Sequence, residues 1–159
     1  MICLNCKNES NKSLCDVCQS WGFTEQYSRM SHKRNGRLAA GIVFTDGKSV
    51  LLLKRNEKQG TWSIPGGRAD KNETPLEAAK RESKEECGSC EGERFDHFFR
   101  KYPNQYYHTF MFAVKSPFQV KISDEHSDHK WIPINDVADM KLHPKFRECW
   151  NAIKESIKK

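Results

Sequence analysis

The chain has 159 residues, 36% of them hydrophobic and 30% charged, with a formal net charge of +6. That length suits one cored domain plus a small appendage, and no apolar run approaches the roughly 20 residues a membrane-spanning helix needs. The basic balance favours polyanionic ligands by steering, without demanding nucleic acid. The opening MICLNCKNES lacks the basic region and apolar core of a signal peptide, so a cytoplasmic location is expected. Seven cysteines, an odd number, do not read as a disulfide framework in such a chain. Residues 1–20 read instead as a separate unit, with Cys3 and Cys6 in one Cys-x-x-Cys pair and Cys15 and Cys18 in another. Four thiolates in two short pairs suit tetrahedral zinc in a closed, structural site. The segment has too few apolar residues to fold by burial, so zinc would supply the folding energy of a small ribbon. Residues 21–36 read as a connector, with Trp21 and Phe23 docking it on the main domain.

The main domain is expected over residues 37–159. LAAGIVFT and SVLLLKR read as strands joined by an Asp46-Gly47 hairpin turn, and Asn56 to Gly60 as a loop. Trp62 to Pro65 is a short extended stretch that delivers Gly66 and Gly67. A helix follows, with Thr74 as N-cap, Pro75 in the first turn, Glu77 completing a capping box and Gly88 ending it. Leu76, Ala79, Ser83 and Cys87 form its core face. RFDHFFRKY and YYHTFMFAVK read as strands, Trp131 to Ile134 as a short strand, Asp136 to Met140 as a helical turn, and Lys145 to Ile157 as an amphipathic helix. This order points to an α/β sandwich.

The helix carries the chemistry. Glu82, Glu85 and Glu86 lie at i, i+3 and i+4, which turns three carboxylates toward one side. Such a cluster repels itself unless cations neutralise it. Hard oxygen ligands on a rigid element suit magnesium or manganese, whose usual work is on phosphate groups. Gly67, Glu73, Arg81, Glu82, Glu85, Glu86 and Gly88 also fall in one frame that resembles the signature of the Nudix hydrolases. Ser83 and Ser89 depart from it, standing where the family usually has an aliphatic residue. The resemblance implies an α/β/α sandwich around a mixed sheet and magnesium-dependent hydrolysis of the pyrophosphate link in a nucleoside diphosphate derivative. It implies Glu82, Glu85, Glu86 and the Gly67 carbonyl as magnesium ligands, Arg81 as a bidentate orienter of a carboxylate, and Glu73 as support at the edge. For the general base it leaves a box glutamate or a loop carboxylate open. Glu125 is the loop candidate, with Asp128 as its neighbour in the same Ser- and Asp-rich stretch.

His126 and His129 lie three apart but have no neighbouring cysteine, so they are not read as a second metal site. Cys87, Cys90 and Cys149 read as small hydrophobes, Cys90 at the start of a strand. Gly47-Lys48-Ser49 echoes a phosphate-binding loop but lacks its upstream glycine and its strand–loop–helix setting. The substrate is less legible. The zinc-plus-Nudix layout resembles the NADH pyrophosphatases, but their SQPWPFP-like motif is missing. Tyr106 and Tyr107 occupy the window where a dinucleoside-polyphosphate subgroup carries a tyrosine, Gln105 stands where an ADP-ribose subgroup carries proline, and the lead Trp62 to Pro65 resembles that of nucleoside triphosphate cleaners. Two other classes remain open: a non-catalytic nucleotide sensor, and an RNA-binding or decapping protein. Intact Glu82, Glu85 and Glu86 oppose the first, and the scarcity of aromatics for base stacking in residues 1–20 opposes the second.

Overall fold

The computed structural model describes residues 38–70, 73–102 and 105–159. The cysteines of the expected zinc unit (Cys3, Cys6, Cys15 and Cys18) and the connector over residues 21–36 lie outside them.

The strands are β1 (Leu38–Thr45), β2 (Ser49–Arg55), β3 (Trp62–Ser63), β4 (Gly66–Arg68), β5 (Glu93–Tyr102), β6 (Gln105–Ala113) and β7 (His126–Pro133). The helices are α1 (Pro75–Cys87) and α2 (Pro144–Lys158), with a 3-10 turn over Ile134–Asp139. The strands form one mixed sheet in the order β3-β2-β1-β6-β5, with β4 on β1 and β7 on β2. β1 and β6 run parallel, and the other pairs are antiparallel. Every residue of β1 is buried, as expected of a central strand covered on both faces.

The β1–β2 hairpin turns on Asp46, whose Oδ1 accepts from Lys48 N–H and Ser49 N–H. The two strands then splay, pairing at Thr45 and Val50. Along the edge this frees, Ala39, Ala40 and Gly41 of β1 pair with Arg68, Gly67 and Gly66 of β4. The glycine pair is thereby fixed by backbone pairing to the central strand.

Two apolar clusters hold the layers. Leu76, Ala78, Ala79 and Cys87 of α1 pack with Ile42, Phe44, Leu53 and Phe110. Phe146, Trp150 and Ile153 of α2, spaced four and three apart, pack with Val43, Leu52, Met111 and Ile132.

α1 begins and ends where its sequence dictates. Thr74 accepts from Glu77 N–H, Glu77 accepts from Thr74 N–H, and Gly88 caps the other end in the left-handed region at φ 84°. Leu76, Ala79, Ser83 and Cys87 are all buried.

Several boundaries differ from the sequence reading. β7 starts at His126 rather than near Trp131, because its partner β2 continues to Arg55 and pairs with it. The polar stretch Ser-Asp-His-Lys therefore belongs to a strand whose apolar signal is confined to Trp131 and Ile132. The 3-10 turn starts at Ile134, earlier than Asp136. Cys90 lies in the turn before β5, which begins at Glu93.

Candidate active site

The splay of β1 from β2 and the antiparallel approach of β4 bring Gly66 and Gly67 beside α1. A Cβ on Gly67 would lie 2.6 to 2.8 Å from the Glu82 carboxyl, and one on Gly66 would lie 2.6 Å from the Ala40 carbonyl oxygen. Glycine at both positions lets backbone and carboxyl approach this closely.

Arg81 ties the preceding loop to the helix. Its Nε donates to Glu73 Oε2 at 2.8 Å and its Nη2 to Glu73 Oε1 at 3.0 Å, a bidentate pair. Nη2 also donates to the Arg68 carbonyl at 3.0 Å, and Nη1 to Glu82 Oε1 at 3.0 Å. Glu73 Oε1 in turn accepts from Asp70 N–H at 2.6 Å. Burial acts upward on the Glu73 carboxyl, but the Arg81 hydrogen bond, the Asp70 N–H and the Arg81 charge together hold it below the usual range. The same pairing with Glu73 raises Arg81 further above its ordinary value.

The three helix carboxylates do not share one environment. Glu82 and Glu86 line a cavity of about 740 Å³ with Gly66, Gly67, Glu125 and His126. Glu85 points elsewhere: it pairs with Arg81 at 3.2 Å, its side chain 58% exposed. Glu86 is buried, and burial pushes its pKa up to about 8 against the opposing hydrogen bond from Gly66 N–H, with Glu82 and Glu125 adding to the rise. Burial also raises Glu82, whose carboxyl is hydrogen-bonded to that of Glu86. Two desolvated acids leaning on each other suit a hard divalent cation. Among the described residues, no three His, Cys, Asp or Glu side chains are grouped so as to hold a metal ion.

Glu125 is held at the cavity through its backbone, its carbonyl accepting from Asn56 N–H at 2.8 Å while Asn56 Nδ2 donates to the Asp124 carbonyl at 3.0 Å. Asp128 and His129 fall within β7, and neither lines the cavity. Tyr107 does line it, its hydroxyl lying against Gly41 and Gly66. Tyr106 instead faces the α1 side of the sheet and stacks on Phe99 with ring centroids 6.1 Å apart.

The far wall was not read from sequence. It includes Arg100, Tyr102, His143 and Lys145, and Arg55 lines the cavity beside His126. Lys145 Nζ sits 4.8 Å from the Tyr102 ring centroid and donates to Gln105 Oε1 at 2.8 Å. These residues share no local motif, so only the folded sheet brings them together.

The chain is similar in sequence and fold to known proteins. The NUDIX domain profile matches residues 36–151. A Mycobacterium tuberculosis protein, provisionally named 8-oxo-dGTP diphosphatase 3, is 29% identical over 133 residues, covering 73% of this chain and 61% of its own length. The chain thus spans less than two thirds of that relative. The 8-oxo-dGTP diphosphatase of Haemophilus influenzae is 30% identical over 101 residues, covering 60% of this chain and 74% of its own length. A crystal structure of a C. elegans Ap4A hydrolase binary complex superposes with a TM-score of 0.64 at 25% identity, over 74% of this chain and 96% of the other.

Proposed function

The chain belongs to the Nudix family, and from that premise we propose that it hydrolyses the pyrophosphate link of a nucleoside diphosphate derivative with the help of magnesium or manganese. What supports this most is the placement of Glu82, Glu86 and Glu125 with Gly66 and Gly67 on one wall of a cavity large enough for a nucleotide.

Glu82, Glu86 and the Gly67 carbonyl would hold the cation, which when bound offsets the charge of the phosphate oxygens and so lowers the cost of bringing a nucleophile to phosphorus. Arg81 keeps Glu73 and Glu82 in place and holds the end of β4, the strand that carries Gly67. Glu85, exposed and paired with Arg81, would join the cation only by leaving that pair. Glu125 is the proposed general base, since it borders the cavity and Asp128 does not. The aromatic and basic far wall would take the nucleoside. Residues 1–20 are proposed to form a structural zinc ribbon through Cys3, Cys6, Cys15 and Cys18, joined by residues 21–36 to a catalytic domain over 37–159.

The test is a panel of nucleoside triphosphates, dinucleoside polyphosphates, ADP-ribose, NADH and 5′-triphosphorylated or capped RNA, assayed with magnesium at pH 8. Turnover of at least one nucleotide, abolished in Glu86→Gln, is expected. Tight nucleotide binding without turnover would make the protein a sensor instead. Glu125→Gln should lower kcat roughly a hundredfold with little change in KM. A larger loss in Asp128→Asn would move the base to Asp128.

A further inference from the structure

His126 opens β7, and its side chain is 8% exposed at the cavity wall. Its Nδ1 is buried and has no hydrogen-bond partner among the described residues. Its Nε2 faces Glu86 Oε2 at 3.8 Å. A neutral imidazole carries one proton, and a buried N–H left without an acceptor costs more than a buried lone pair left without a donor. The proton therefore belongs on Nε2, the nitrogen turned to Glu86. The separation exceeds a direct hydrogen bond, yet it falls short of the about 4.5 Å that a bridging water would need.

The same Glu86 oxygen accepts from Gly66 N–H at 3.2 Å. The Gly66 N–H of β4 and the His126 ring of β7 thus both face Oε2, the first as a hydrogen-bond donor and the second at 3.8 Å. Resting on the reading of Glu86 as a cation ligand, we infer that His126 is a positioning residue for the Glu86 carboxylate, fixing one oxygen so that the other is presented to the cation. The ring is itself placed by nonlocal pairing: His126 lies opposite Arg55 in the β2–β7 ladder, and the preceding turn is tied to Asn56. The register of β7 thereby sets the aim of a carboxylate on α1.

The inference is tested by direct Mn²⁺ titration of the full chain at pH 8, with free Mn²⁺ read by electron paramagnetic resonance. Removing a partner that orients a metal ligand weakens binding about 10- to 100-fold in comparable sites. His126→Leu should show such a loss. His126→Gln, whose amide N–H reaches the position of Nε2, should bind within about threefold of the parent, whereas His126→Asn, whose shorter amide does not reach it, should fail as the leucine variant does. Thermal melts confirm folding, and if the leucine variant does not fold, the Gln–Asn pair decides alone. Equal binding by all variants and the parent overturns the inference, as does a glutamine variant weakened as much as asparagine. A parent chain that binds no Mn²⁺ overturns the cation reading of Glu86 itself, and the role of His126 with it.

Discussion

Ser83 sits on the core face of α1 at a position better suited to an apolar side chain. It is fully buried, and its Oγ has no hydrogen-bond partner among the described residues. Its carbonyl accepts from the Cys87 thiol, which any residue could provide for. Ser83→Ala should therefore stabilise the protein by about 1 kcal/mol, from the relieved hydroxyl and the better helix propensity. A lower urea midpoint in the variant would show that the hydroxyl is satisfied by something the described residues do not include. The departure of this position from the family pattern was visible in the sequence, but not that the hydroxyl lacked a partner. Glu86 leads to a second expectation. Its folded pKa, about 8, lies above the ordinary carboxyl value of 4.5. The folded state thus holds a proton that the unfolded chain releases, so this contribution is full below about pH 4.5 and is lost as pH rises to about 8. Buried His97 and His108, pushed down to about 2 and about 3 by burial, act in the opposite sense, and their contribution is lost as pH falls below 6.5. In chelator, thermal melts should therefore fall on both sides of a maximum between about pH 5 and 7. Glu86→Gln should abolish the alkaline decline while losing turnover; an unchanged alkaline limb would place the titrating group elsewhere.

At the scale of elements, α1 was legible because its signals are local. Thr74, Pro75, Glu77 and Gly88 specify start and stop within one segment, and the structure uses each as expected. Thr74→Ala breaks the capping box in a fully buried setting and should cost about 1 kcal/mol of unfolding free energy, measured by urea denaturation. A change within error would mean that packing of Leu76 and Ala79 alone sets the helix start. β4 and the first half of β7 were not legible. Gly66–Arg68 is three residues long and becomes a strand only because β1 offers Ala39 to Gly41 as partners. His126 to Lys130 is polar, and its strand identity is conferred by β2. Such pairings depend on residues far away in sequence, which no window of local pattern contains.

For the molecule as a whole, the carboxylate half of the cavity could be anticipated from one helix, while the far half could not. Its residues come from the end of β5 and from the first turn of α2, far apart in the chain. All the described residues that line the cavity lie between Ala39 and Ala152. If the proposed zinc unit is purely structural, its removal should spare turnover. The purified chain should carry about one zinc per molecule by elemental analysis, Cys3→Ser or Cys15→Ser should release it, and nucleotide turnover should persist within a few-fold. Iron, or no metal, would refute the ribbon. The two halves of the cavity also differ in what holds them. Gly66 and Gly67 are bonded through their backbone to the most buried strand, so any change there disturbs the centre of the fold. His143 and Lys145 reach the cavity from the first turn of a helix anchored by other residues, Phe146, Trp150 and Ile153. Substitutions at that turn can alter what the cavity accepts while the glycines stay where β1 and β4 put them and the carboxylates stay on α1.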